Sequence, residues 1–436
     1  MKRKEFLKKS VFLGAGSMFR PTLSGYSTAS NSAGNQINIG AIGINGMGWG
    51  NVQKALQVPG VKLVAVCDVD ENVIKRRLNS KEGKSIKNKV KIYSDYRKML
   101  EQKDIDVVYI GTPDHWHALM MINAAAAGKH IYVEKPIGNS IGECEAMVAA
   151  QKRYGNIIQV GQWQRSSTHF QDAMSFVHSG KLGPIRTVKV FCYQGWMRPQ
   201  PKVENTPVPK GIDYDSWLGP APKLPFNASR FHFHFRWFWD YAGGLMTDWG
   251  VHLLDYALIG MKASLPKTIV GLGGQFAYPD LSQETPDTLT TLYEFDKFNL
   301  VWDSAMGIEN GSYGTDHGIA FVGNYGTLVV DRSGWEIIEE KRSENKVLLP
   351  LQKKSNNGHR DHQKNFIQAI RENKPEILTC NVQDAAHVAK VAQMGNISFK
   401  TNQKLSWDPD NNKFFDSRVN DKYLMKEYYN GYKLPT

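Results

Sequence analysis

Two short patterns in this 436-residue chain have the residue types and spacing to do chemistry. Asp248-Trp249-Gly250-Val251-His252 sets a carboxylate and an imidazole four positions apart. On a helix those positions share a face, and residues 244–260 are apolar enough for a buried helix. The carboxylate would then orient the ring and raise its basicity, as in an acid–base pair. The same spacing also fits a histidine satisfied by its own helix neighbour. The second pattern is Gly43-Ile44-Asn45-Gly46-Met47-Gly48, a G-x-G-x-x-G turn with Asn45 in place of the middle glycine. Glycines there allow a tight turn, close approach of backbone to a pyrophosphate and close helix–strand packing. The helix that follows offers free N–H donors to phosphate. Asn tolerates positive φ, so the turn survives, with the pyrophosphate shifted towards Gly46 and Met47. Asp68 lies twenty residues beyond Gly48, where an acid bonds the adenosine ribose 2′-OH. The pair predicts dinucleotide binding, and the acid favours NAD over NADP by repelling a 2′-phosphate. Arg76 and Arg77 read as a solvated helix face.

The elements that position these residues are legible in the first half. Residues 37–42, 62–67, 106–110, 130–133 and 157–160 are short apolar runs. Helical stretches over 49–58, from Glu71 and over 118–127 alternate with them. That alternation predicts βαβ units on a parallel, doubly wound sheet spanning 37–160. Gly111-Thr112-Pro113-Asp114-His115-Trp116-His117 and Glu134-Lys135-Pro136 then follow strand ends, the edge where such sheets bind ligands.

Together with the glycine turn, these two segments resemble the Gfo/Idh/MocA family of sugar and inositol oxidoreductases, Glu-Lys-Pro being the most telling match. The resemblance runs from about residue 37 to the C-terminus. It includes Trp217-Leu218-Gly219-Pro220-Ala221-Pro222 and residues 235–255. Within the family the chain looks closest to exported Bacteroidetes-type members, some of them NAD-dependent glycosidases. The resemblance implies an acid–base group of Lys135, Asp248 and His252, hydride transfer from a sugar secondary alcohol to NAD, and a cis bond before Pro136. Lys135 would steady the developing alkoxide, His252 would accept the proton, and Asp248 would hold His252. Gly43, Asn45, Gly46, Met47, Gly48, Asp68, Thr112, Pro113, His117, Glu134 and Lys135 are the expected cofactor contacts. His117 equally fits a plain helix N-terminal residue. The alternative net reaction is glycoside cleavage by transient oxidation, elimination, water addition and re-reduction. Tyr193 or His234 is then a candidate for the second proton transfer.

Beyond residue 160 the pattern changes. Alternating runs at 187–193, 268–272, 288–295, 299–305, 318–322 and 327–330 predict an open, largely antiparallel sheet, giving an α+β domain over 161–402. Helices are expected at 361–372 and 382–395, with a tail over 403–436 wrapped on the fold. Residues 196–241 are rich in aromatics, suited to sugar faces. Arg165, Tyr193, Trp237 and His234 are the candidate substrate contacts. His232 and His234 would face one way on an extended segment, but no metal is expected there. A homo-oligomer through the C-terminal sheet is expected.

Net charge is +12, of which residues 1–36 contribute +5. Their basic start, apolar stretch and small-residue end resemble an export signal. Arg3-Lys4-Glu5-Phe6-Leu7-Lys8 is similar to a twin-arginine pattern with Lys4 in place of one arginine, which predicts a periplasmic protein, or a cytoplasmic one if the leader is no signal. Basic residues elsewhere form no blocks interleaved with aromatics, so nucleic acid is not an expected partner. No run of 18 apolar residues predicts a membrane span.

Overall fold

A computed structural model describes residues 36–435; the expected leader, but for Gln36, lies outside the described residues. The first sheet has six parallel strands: β1 (Ile37–Ile42), β2 (Val61–Cys67), β3 (Lys91–Tyr93), β4 (Val107–Ile110), β5 (His130–Val133) and β6 (Ile158–Val160). Its order is β3-β2-β1-β4-β5-β6. Helices α1 (Gly46–Ala55), α2 (Glu71–Leu78), α3 (Tyr96–Leu100), α4 (His117–Ala126) and α5 (Ile141–Tyr154) connect them. β4 is buried at every position, as expected of a strand covered on both faces. The short strand β3, with two exposed residues, carries too little apolar signal to be read beforehand.

The strand register aligns the functional loops. Ile42 pairs with Cys67 and with Ile110, and Ile110 pairs with Val133. The next residues (Gly43, Asp68, Gly111 and Glu134) therefore leave the sheet along one edge. The strand order reverses between β1 and β4, so this edge is the crevice where open α/β sheets bind ligands.

The second sheet has ten strands in the order β14-β13-β12-β11-β7-β10-β9-β8-β15-β16. They are β7 (Ile185–Gln194), β8 (Thr268–Gly274), β9 (Thr288–Glu294), β10 (Asn299–Met306), β11 (His317–Gly323), β12 (Gly326–Val330), β13 (Gly334–Glu339), β14 (Leu349–Lys353), β15 (Leu405–Asp408) and β16 (Lys413–Phe414). Only β7 and β10 pair in parallel. The helices of this half are α6 (Thr168–His178), α7 (Tyr214–Leu218), α8 (Gly244–Asp248), α9 (Gly250–Met261), α10 (Gly358–Glu372), α11 (Val382–Thr401) and α12 (Ser417–Tyr423). The helix expected over 244–260 is thus two, broken at Trp249. Ser398 on α11 donates to the carbonyl of Ile269 on β8, joining helix and sheet. Among the described residues no helix is long and apolar enough to cross a membrane.

Candidate active site

Both halves line one cavity of about 610 Å³. The glycine turn, Asp68 and Thr112 form one end; Lys135, Asp248 and His252 form the other. At the first end the positive φ values fall on Gly43 (73°) and Gly46 (44°). Asn45 does not need the left-handed region: it is extended, at φ −88°, as the N-cap of α1. This corrects the expectation for its backbone. Gly48 packs so closely that a Cβ there would meet the Gly43 carbonyl and the Gly111 backbone, whereas one on Gly46 would meet nothing within 4 Å. The Asn45 side chain does not cap α1, so the first N–H groups of that helix stay available. Its carbonyl oxygen instead accepts from Arg76 (2.9 Å) and Arg77 (3.3 Å), and Arg77 Nε donates to the Ile44 carbonyl. The two arginines are therefore anchored on the turn, not a merely solvated face.

Asp68 accepts from the N–H groups of Ile44 (2.9 Å) and Asp70 (3.0 Å). Burial raises its pKa and those two bonds oppose the rise. Thr112 Oγ1 is buried without a partner among the described residues. An uncapped helix start and an orphaned hydroxyl on the β4 loop offer donors, and the acid at the end of β2 an acceptor, of the kind that holds a dinucleotide. Met47, Pro113 and Glu134 also line the cavity. His117 does not: its ring is wedged between the carbonyl oxygens of Pro136 (2.7 Å) and Thr112 (2.9 Å). It couples the two loops.

At the other end Lys135 Nζ donates to Asp248 Oδ1 at 2.6 Å and to the Asp248 carbonyl at 2.9 Å. The helix break explains the second bond. The His252 N–H, which would take that carbonyl in a continuous helix, bonds Trp249 instead. Asp248 Oδ2 faces Arg236 Nε at 3.4 Å. Burial alone would raise the Asp248 pKa, but Lys135 and Arg236 hold it well below the usual carboxylate range. No hydrogen bond joins Asp248 to His252 among the described residues, and His252 Nδ1 is buried without a partner. The expected Asp248–His252 pair is thus replaced by Asp248–Lys135, because a cation outcompetes a neutral imidazole for a buried carboxylate. Burial, with Lys135 and Arg332 nearby, lowers the His252 pKa well below the ordinary value and keeps the ring neutral. Glu134 accepts from Asn51 (2.8 Å) and from the Lys135 N–H (3.2 Å), which fixes the chain before the cis Lys135–Pro136 bond.

The candidate substrate contacts lie outside the cavity lining. Arg165 forms a two-point bond with Asp255 (2.8 and 2.6 Å) and meets Asp384 at 2.7 Å. It ties α9 to α11 behind the site. Tyr193 stands on the opposite face of β7 from buried Cys192, bonded to Asp303 at 2.5 Å. Trp237 is core, 1% exposed. His234 and His232 do not face one way, because His232–Trp237 winds as a 3₁₀ helix rather than an extended strand. His232 bonds Asp70 at 2.9 Å instead. The further residues that line the Lys135–Asp248 end are Asp114, Trp163, Arg236, Trp249 and Arg332. Asp114 and Trp249 lie inside the two motifs without a role set by their spacing; Arg332 sits in the β12–β13 turn with no local signature.

Two profiles of one family match the chain. The profile described as "Oxidoreductase family, NAD-binding Rossmann fold" covers residues 37–162, and "Oxidoreductase family, C-terminal alpha/beta domain" covers 166–269. An uncharacterized oxidoreductase, YrbE of Bacillus subtilis, is 26% identical over 68% of this chain and 74% of its own. An alpha-N-acetylgalactosaminidase of Shewanella oneidensis is 33% identical, but over only 27% of this chain and 26% of its own length. Among solved structures, an aldose-aldose oxidoreductase of Caulobacter crescentus superposes with a TM-score of 0.65 at 18% identity, covering 85% of this chain and 99% of that one. A myo-inositol 2-dehydrogenase of Lactobacillus plantarum gives 0.62 at 19%, covering 85% and 99%. At these identities the superpositions speak for the fold.

Proposed function

Because this chain belongs to the Gfo/Idh/MocA oxidoreductase family, we propose that it removes a hydride and a proton from a secondary alcohol of a sugar, glycoside or polyol. The observation that carries this reading is the convergence of the Lys135–Asp248 pair and the neutral, unpartnered His252 on one end of a cavity whose other end is the glycine turn. NAD, when bound, supplies the hydride acceptor. His252 accepts the hydroxyl proton, Lys135 steadies the developing alkoxide, and Asp248 keeps Lys135 aimed. The oxidised carbon becomes a carbonyl. Asp68 favours NAD over NADP, since a carboxylate at that place repels a 2′-phosphate.

Net glycoside cleavage with retained NAD is the second reading. It is favoured by how the cofactor end is roofed. The β2–α2 loop bonds residues 211–213 through Glu71 N–H to the Gly211 carbonyl and Asp213 N–H to the Val69 carbonyl, both 2.8 Å. His232 clasps Asp70 from the same segment, and Tyr432 of the C-terminal tail also lines the cavity. A roofed cofactor exchanges slowly and suits export, where free NAD is scarce. Export to the periplasm rests on the basic, apolar and small-residue order of residues 1–36; the N-terminal sequence of protein recovered from the periplasm tests it. A homo-oligomer through the second sheet completes the proposal.

The test is to denature washed protein and quantify released NAD(H), then to screen sugars and nitrophenyl glycosides. About one equivalent per chain with glycoside turnover selects the second reading; NADH formation from added NAD selects the first. Lys135→Ala and His252→Ala are expected to lose about 10²–10⁴ of the rate while still binding NAD. Unchanged turnover in both variants would overturn the assignment.

A further inference from the structure

The reactive end of the cavity holds more positive charge than its own carboxylates match. Lys135 is paired with Asp248 at 2.6 Å. Arg236 reaches the second oxygen of that same carboxylate only at 3.4 Å, with its guanidinium over the rings of Phe233 (4.0 Å) and Phe235 (4.9 Å). Arg332 has no carboxylate at ion-pair distance among the described residues; both its hydrogen bonds go to the neutral Gln164 Oε1, at 3.1 and 3.3 Å. It stacks on Trp249 (4.2 Å) and Trp163 (5.1 Å), two walls of the same cavity. Stacking fixes the plane of the fork but supplies no counter-charge.

The neighbouring acids do not fill the gap. Asp248 and Asp316 act on Arg332 only from beyond ion-pair distance; Asp248 is taken by Lys135 and Arg236, and Asp316 meets His317 at 2.6 Å. Glu134 is committed to Asn51 and to the Lys135 N–H. Burial pushes the Asp114 pKa up to about 8, leaving it mostly protonated at neutral pH, whereas Arg332, lowered to about 10, stays cationic. A largely desolvated cation with no carboxylate at ion-pair distance among the described residues is costly for a folded chain. The partner is therefore to be sought in the ligand.

We propose that the substrate carries a carboxylate, as a hexuronic acid or its glycoside does, and that Arg332 receives it through the free edge of its guanidinium. The planar fork matches a carboxylate in a two-point bond. The tryptophans that hold Arg332 border the space for the sugar ring. This inference rests on the reading that the cavity takes a carbohydrate, and it makes Arg332 the residue that selects acidic over neutral sugars.

The experiment titrates NAD-treated wild-type protein, Arg332→Gln and Arg332→Lys with methyl glucuronoside, methyl galacturonoside and their neutral parents. Sodium acetate serves as a probe indifferent to sugar stereochemistry. The signal is the change in tryptophan fluorescence, Trp163 and Trp249 being the two tryptophans stacked on Arg332. Wild type is expected to bind at least one uronoside about tenfold or more tighter than its neutral parent, the scale of a charge-assisted hydrogen bond. Acetate is expected to give a saturable response. Arg332→Gln is expected to lose both effects and Arg332→Lys to recover part, with NAD(H) per chain the same in all three. The proposal is overturned if neutral sugars bind as tightly as uronosides. It is also overturned if the preference survives in Arg332→Gln, or if neither uronosides nor acetate give a saturable signal. Failure of all three proteins to bind NAD would instead sink the oxidoreductase reading.

Discussion

Asp114 shows how much of the chemistry is set by a residue's surroundings rather than its type. It opens the turn after β4, is 7% exposed and lines the cavity beside Lys135 and Asp248. Burial, reinforced by the Asp248 charge and opposed by Lys135, carries its pKa from 3.8 to about 8. Between those values the folded chain holds a proton that the unfolded chain has released. Its contribution to stability is therefore full below about pH 4 and is lost as pH rises through about 8. Asp114→Asn, which mimics the protonated acid, should flatten that slope. Melting temperatures from about pH 5 to about pH 9 are expected to fall more steeply in wild type than in the variant; parallel curves would show that Asp114 ionises normally. At this scale the sequence named Lys135, Asp248 and His252 but misassigned their pairing. The i, i+4 rule assumes an unbroken helix, and the break at Trp249 hands the Asp248 carbonyl to Lys135. Arg236 and Arg332 were illegible for another reason: only tertiary packing brings them to Asp248 and Trp249.

The break at Trp249 and the 3₁₀ winding of His232–Trp237 are the two departures from regular elements that most shape the site. An extended segment would set His232 and His234 on one face, but a three-residue repeat is what sends His232 to Asp70 and Arg236 to Asp248. By contrast β1, β2, β4 and β5 were legible within a residue, because buried parallel strands are continuous apolar runs. β13 to β16 were missed; β14 lies at a sheet edge and is largely exposed, and β16 has two residues. The C-terminal tail is held by Lys426 Nζ on the carbonyls of Trp239 (2.6 Å) and Asp240 (2.7 Å), and by Tyr428 OH on Glu143 (2.6 Å). These anchors seat Tyr432, edge-on to Trp116 at 5.3 Å, in the cavity wall. Tyr432→Ala and His232→Ala each open the roof without touching Lys135 or His252. Both are expected to raise the rate at which NAD is lost in a dilution assay, with a larger effect in the double variant. Release no faster than wild type in the double variant would mean that the roof does not retain the cofactor.

At the scale of the molecule, the ten-stranded sheet has two unlike faces. Ile269, Leu289, Trp302 and Phe321 point inward and are at most 2% exposed. The alternate positions point away from the helices, and several are apolar and bare: Leu272 (63% exposed), Leu292 (43%) and Ile338 (41%). A wide sheet with exposed aliphatic side chains is the surface that pairing with a second copy would cover. The pairing also bears on the site. Cys192 and Tyr193 alternate across β7, the first buried on the Asp248 side and the second on the outer face with Asp303. A neighbour on the outer face would thus stiffen the strand that backs the helices carrying Asp248 and His252. Light scattering on the purified protein is expected to give a mass that is a multiple of the chain mass. Leu292→Glu is expected to shift it towards the monomer while leaving the NAD content per chain unchanged, because Leu292 is remote from the cavity lining. A wild type that remains monomeric at all concentrations would leave that face bare in solution and refute the assembly.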